Sequence, residues 1–348
     1  MWILDRMETC TSAWEEEKDS PICTASAMWV MNPPNFPPLD TTSEHAQARK
    51  TRHMLESFHG APNPKAIETA WPYLSNKDYH LRYAARIAIE WQDPKSWADK
   101  AYTESNDVGA IHALLSLARS DLAGSLQPSI NRLTKVDFSK LNKQNKLDLL
   151  RTYAVIMSRG GRPEADQVAA IGNQLDPNYP ADDDNLNEEL CRVLCYLQHP
   201  SVVGKTITLL KNTKAKIPDY DPEMIKRGGH YGRTILAAMS EDVSPNVLNI
   251  HFLFCLKDVV NGWSMNDRKE YLGELKELLT KKGGNMFSGY LKKIRESAIA
   301  KVPEKDKLAL SYLTGEIKGI DLAKLPRAEG PGVVWRSEEH TSELQSPD

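Results

Sequence analysis

Apolar residues recur every three or four positions through most of this chain, and no credible segment alternates in and out as a strand would. Leu81, Ala84, Ala85, Ala88 and Trp91 fall on one helical stripe, with Asp78 placed to cap it. Leu147, Leu150, Ala154 and Met157 form a second face, Leu186, Leu190, Val193 and Leu197 a third, and Val203, Ile207 and Leu210 a fourth. Punctuation fits the same reading. Thr41 and Glu44 suit a capping box, and Gly60 closes the helix they open. Asn63-Pro64 starts the next helix, which runs to Trp71-Pro72-Tyr73-Leu74. Asp93-Pro94 starts another, carrying Trp97 and Ala101. Further helices are predicted at about 244–260, 266–281, 287–301 and 304–314.

Many short helices joined by short polar turns, without heptads, predict stacked helical hairpins. The sharpest local sign is the run from Asp78 through Leu81 and Arg82 to Ala85, which fits the D-x-x-[VL]-R-x-x-A pattern of HEAT-type repeats. There Asp78 caps the helix, Leu81 and Ala85 pack inward, and Arg82 can reach an acid of a neighbouring repeat. Later units do not align at one strict period. The expectation is an all-α fold, an irregular HEAT-like α-solenoid over residues 39–325, with a globular helical bundle as the alternative.

The two ends do not share this pattern. Arg336–Ser346 reads RSEEHTSELQS, the residue-for-residue translation of a widely used sequencing adapter, so residues 336–348 are set aside as an artefact. Residues 1–38 hold no persistent period. Read one base over, with permitted codons, they give LYVCV and DLYRVSYV around a Gly-rich turn, the pattern of a hairpin. They are expected to be a frameshifted translation, disordered as they stand. These ends carry 10 of the 47 acidic residues and 3 of the 44 Lys and Arg, so the net charge of −3 is theirs and the remainder is slightly basic. Such weak charge predicts no nucleic-acid binding. The longest apolar run is too short for a membrane span. Cys191, Cys195 and Cys255 are the cysteines between the ends, too few for a disulfide framework.

Candidate chemistry is sparse. Cys191, Cys195 and His199 stand at i, i+4 and i+8, and thiolate and imidazole suit zinc, but one straight helix cannot wrap a tetrahedral ion. His251 and Cys255 repeat the spacing inside an apolar run, where a core histidine is expected. The stretch with Arg227, Gly228, Gly229, His230 and Arg233 could cradle an anion, or simply turn tightly between helices. Lys281-Lys282-Gly283-Gly284 reads as a helix C-terminus and Asp182-Asp183-Asp184 as a helix start rather than a calcium loop. No catalytic residue, metal ligand or cofactor site is assigned, because no nucleophile, base and oxyanion donor come together.

Several segments together resemble one family: RKTRHMLESFHG, AIETAWPYL, LRYAARIAIEWQ, NIHFLFCLKDVVNGWSMNDRKEYL, KKGGNMFSGYLKKIRESA and LAKLPRAEGPGVVW. They are similar to the middle of the large haem-binding dehydrogenase-like proteins of planctomycetes. The likeness covers about residues 40–335 and is strongest at Asn261-Gly262-Trp263 and Gly283-Gly284. In that family a β-propeller precedes a HEAT-like region, and a c-type cytochrome domain follows. The resemblance implies that residues 326–335 are a linker towards a cytochrome domain carrying haem c. It also implies a parent that is a sugar or alcohol dehydrogenase-like enzyme, in the periplasm or at the cell surface. This chain would be its non-catalytic scaffold, with the propeller and cytochrome domains or a protein as partners. A free-standing interaction scaffold is the first alternative, and an enzyme or binder acting on an anion at Arg227–Arg233 the second.

Overall fold

The computed structural model describes residues 44–120, 122–213, 223, 227–229, 245–281 and 286–314. Among them every regular element is a helix, so the fold is all-α. The chain divides into two compact units between Gln92 and Asp93.

The first unit contains α1 (Glu44–Glu56), α2 (Ala66–Ala70), a 3-10 turn at Trp71–Ser75 and α3 (Tyr79–Glu90). Both α1 and α2 pack on α3. Leu55, Ala66, Ala70, Leu74, Ala85 and Ile89 are fully buried between them. Small residues on α3 allow the close approach that this packing needs. Gln92 closes the unit, accepting from Asn63 N at 2.7 Å and donating to Ala88 O at 2.9 Å. The predicted stripe holds except at Trp91, which lies past the last turn of α3 and is 49% exposed.

The second unit runs through α4 (Ala98–Thr103), α5 (Asp107–Arg119), α6 (Leu126–Leu133), α7 (Lys143–Gly160) and α8 (Ala165–Leu175). It continues with α9 (Asp184–Leu197), α10 (Val202–Asn212), α11 (Val247–Leu256), α12 (Met265–Leu278), α13 (Phe287–Ala300) and α14 (Glu304–Thr314). Five of their starts are chemically marked. Asn106, Asn142, Asp183, Asn246 and Ser264 each accept a backbone N–H of the first turn, and Ser264 forms a capping box with Asp267.

These helices stack in two rows. In one, α5 packs on α7, α7 on α9, α9 on α11 and α11 on α13. In the other, α4 packs on α6, α10 on α12 and α12 on α14. Polar side chains bridge equivalent points of successive hairpins. Arg159 donates to Arg119 O and Gln167 to Gln127 O, each 40 residues away, and Gln174 to Leu133 O, 41 away. Lys143 pairs with Asp183, again 40 away. This step is the repeat length that the apolar pattern conceals. Between α9 and α11 it lengthens: His251 meets Glu188 O 63 residues away, and Gln198 donates to Asp258 O 60 residues away.

One predicted face is turned. On α7 the buried side chains are Leu149, Leu150, Thr152, Tyr153, Ile156 and Met157, while Leu147 and Ala154 are half-buried. The helix lies between α5 and α9 and so buries a wider arc than a single stripe. The faces on α9 and α10 are buried as expected.

Candidate functional site

The HEAT-type motif on α3 behaves as a structural element. Asp78 Oδ1 accepts His80 N at 2.7 Å, Leu81 and Ala85 are buried, and Arg82 donates to the carbonyls of Asn76 and Lys77 in its own loop. The opposite face of α3 exposes Tyr79 and Tyr83, stacked with centroids 6.2 Å apart. Arg86 lies over the Tyr83 ring at 5.0 Å. In the second unit Phe254 and Tyr290 form another exposed stack, at 5.9 Å.

The cysteines come together, and His199 does not join them. Cys191 Sγ lies 3.8 Å from Cys195 Sγ and 3.8 Å from Thr206 Oγ1, which Tyr179 meets at 2.7 Å. Cys255 approaches from α11, its Sγ 3.4 Å from His251 Nε2. Hydrogen bonding to Cys191, and then burial, push the Cys195 and Cys255 thiols up. At Cys191 burial opposes the thiolate, but hydrogen bonds from Cys195, Cys255, Tyr179 and Thr206 outweigh it and bring the pKa down. His251 also faces Glu188 O at 3.0 Å, which makes it a satisfied inter-helix histidine. Among the described residues no group of three or more His, Cys, Asp or Glu could hold a metal ion. Sequence reasoning passed over Thr206, although its place on the apolar face with Val203, Ile207 and Leu210 was a signal that a buried hydroxyl needs a partner. Tyr179 carried no local signal.

His199 belongs to a second cluster, with Asp176, Ser201 and Lys205. Ser201 Oγ donates to Asp176, His199 Nδ1 lies 3.0 Å from Ser201 Oγ, and Lys205 Nζ lies 2.8 Å from Asp176 Oδ1. Asp176 and Ser201 sit beside Pro177 and Pro200, turn signals that hid their chemistry. These residue types can form a catalytic triad, but here the serine hydrogen points at the carboxylate and the imidazole offers Nδ1 to the serine. That order moves no proton off Ser201 by way of histidine. The cluster is a staple between the end of α8 and the start of α10.

Partial burial works to raise the Asp176 pKa, and hydrogen bonds from Lys205 and Ser201 outweigh it and hold it low. A depressed folded pKa means that the staple's stability is fully present above the ordinary carboxylate pKa of about 3.9. It is lost as pH falls through the folded value. The stability gap between wild type and Asp176→Asn, measured by urea unfolding, is therefore expected to stay level from about pH 7 to about pH 5 and to shrink as the pH falls below about 4. A gap independent of pH would rule the ion pair out as its source.

Arg227, Gly228 and Gly229 are exposed, and Gly229 takes φ 54°, a left-handed turn conformation. His230 and Arg233 lie outside the described residues, as do Gly283, Gly284 and Lys282. Asp183 caps α9 and pairs with Lys143 at 2.6 Å, so the Asp182–Asp184 run starts a helix. A cleft of about 620 Å³ opens beside Leu122, Leu126, Ile156, Arg159 and Gly160. Its walls are mainly apolar, and the Arg159 guanidinium is turned to Arg119 O at 3.1 Å. No helix among the described residues is long and apolar enough to cross a membrane. The chain matches no family model, no curated protein and no solved structure.

Proposed function

We propose that this chain is a non-catalytic helical-repeat scaffold from a multidomain dehydrogenase-like c-type cytochrome protein. It holds redox domains in relation or binds a protein partner along its stacked helices. The observation that carries the scaffold reading is the two-row stacking of the second unit, tied at a step of 40 residues by Arg159, Gln167 and Lys143. Stacks of this kind present long continuous surfaces. The exposed aromatic pairs Tyr79/Tyr83 and Phe254/Tyr290, with Arg86 and Lys257 over their rings, supply the side-chain types that anchor protein partners.

The redox parent rests on the sequence resemblance around Asn261-Gly262-Trp263 and on the GPG-x-x-W exit at Gly330–Trp335. Haem c needs a C-x-x-C-H attachment run. Cys191 and Cys195 are one residue too far apart, lack the following His and are buried, so they do not fit the group. No haem-dependent electron transfer is assigned to this chain. Sequencing the source DNA outward through both ends tests the reading. A C-x-x-C-H run downstream and an open frame of alternating strands upstream are expected. A stop codon soon after Trp335, with residues 1–38 confirmed as they stand, would leave a free-standing interaction scaffold instead.

A further inference from the structure

The two helices that carry the buried thiols run in the same direction with a fixed register. Glu188 of α9 meets His251 of α11 at 3.0 Å, and further along Gln198 bonds Asp258 O at 3.1 Å and Val260 N at 2.8 Å. That register sets Cys255 opposite the turn holding Cys191 and Cys195. Cys191 is fully buried, Cys195 lies on its own helix at 3.8 Å, and Cys255 faces the pair from the other helix, its Sγ 3.4 Å from His251 Nε2. Cys255 is the partly exposed member, so a small oxidant reaches it first. The three thiols serve neither the staple at Asp176 nor the bridges that set the repeat.

The geometry points to a redox-formed cross-link: hydrogen peroxide joins Cys255 to Cys191, pinning α11 to α9. The inter-helix pair is favoured over Cys191–Cys195, because two sulfurs one turn apart on a rigid helix close only by distorting it. Peroxide entering past Cys255 meets Cys191, whose thiolate attacks one peroxide oxygen; the O–O bond breaks, and hydroxide leaves as water, taking up the proton that Cys191 had lost. Cys191 is then a sulfenic acid. The Cys255 sulfur, giving up its proton, attacks the Cys191 sulfur, the S–O bond breaks, and a second water leaves. Two thiols and one peroxide give one disulfide and two waters. The bond ties together the two ends of the longest step in the stack, and so extends the scaffold reading with a switchable brace.

The test uses the full chain carrying Cys10→Ser and Cys23→Ser, treated with hydrogen peroxide, alkylated without reduction and digested with trypsin. Cleavage after Arg192 separates Cys191 from Cys195, so all three pairings are distinguishable. The expected result is a mass lower by two hydrogens and a linked peptide pair holding Cys191 and Cys255. A rise in Tm on oxidation that dithiothreitol reverses is also expected. Cys195→Ser keeps the link and Cys255→Ser abolishes it. A Cys191–Cys195 link, or three thiols that stay alkylatable under peroxide, overturns the assignment. The mapping on the Cys10→Ser, Cys23→Ser chain decides the matter even if a further variant fails to fold.

Discussion

Gly262→Ala is expected to lower stability by about 3 kcal/mol or more, a fall in Tm of roughly 6–12 °C for a unit of this size. Two costs add. Gly262 has φ 80°, where an added Cβ strains the backbone by roughly 1–2 kcal/mol. That Cβ would also stand 2.4 Å from Pro200 O, a backbone atom that cannot swing aside. The strand of chain on either side is latched. Gln198 bonds Asp258 O and Val260 N, and Trp263 Nε1 donates to Val259 O at 2.8 Å. Relief of the clash therefore has to pull α9 and α11 apart. Gly124→Ala is the control, since Gly124 has φ 78° with nothing within 4 Å of the added carbon. It should lose only the backbone share, roughly 1–2 kcal/mol. Thermal unfolding of the two variants checks this. Equal losses would mean that the Pro200 contact yields freely.

The same residue shows how far the sequence could be read. Asn261-Gly262-Trp263 stood out as a family-like run; in the fold it is a left-handed glycine against the Pro200 carbonyl and an indole edge-on to Tyr271 at 5.3 Å beneath Arg268. Pro200 is remote along the sequence, so the run gave no sign of that contact. The all-α fold was legible because the helices carry apolar faces and several carry caps of their own, as with Leu81 and Asp78. Trp91 was misplaced because α3 ends one residue before it, and the α7 face because a stripe records one neighbour whereas α7 has one on each side. The repeat length was illegible for a different reason. Helix lengths and turns vary, and what keeps step is a set of polar side chains reaching carbonyl oxygens. A carbonyl has no residue identity, so Arg159, Gln167 and Gln174 look like ordinary surface residues. The thiol cluster was half legible: Cys191 and Cys195 share a helix, whereas Cys255 joins them through a register set far away.

Gln174→Ala should be the costliest polar substitution, at about 3 kcal/mol. Its amide spans three helices. Nε2 donates to Leu133 O at 3.0 Å and Val136 O at 2.8 Å, at the end of α6, while Oε1 accepts from Tyr153 OH at 2.7 Å, on α7. Tyr153 is fully buried, so truncation leaves its hydroxyl without this acceptor in a site closed to water. Tyr153→Phe removes the donor and leaves both carbonyl bonds in place, so it should cost only about 1 kcal/mol. The double variant decides whether the link is as described. If the hydroxyl is the group stranded by Gln174→Ala, removing it as well should recover about 1 kcal/mol relative to the sum of the single losses. Urea unfolding of the four proteins measures this coupling. Strict additivity would mean that Tyr153 and Gln174 hold their helices independently, and that the bridge between successive hairpins lies in the carbonyl bonds alone.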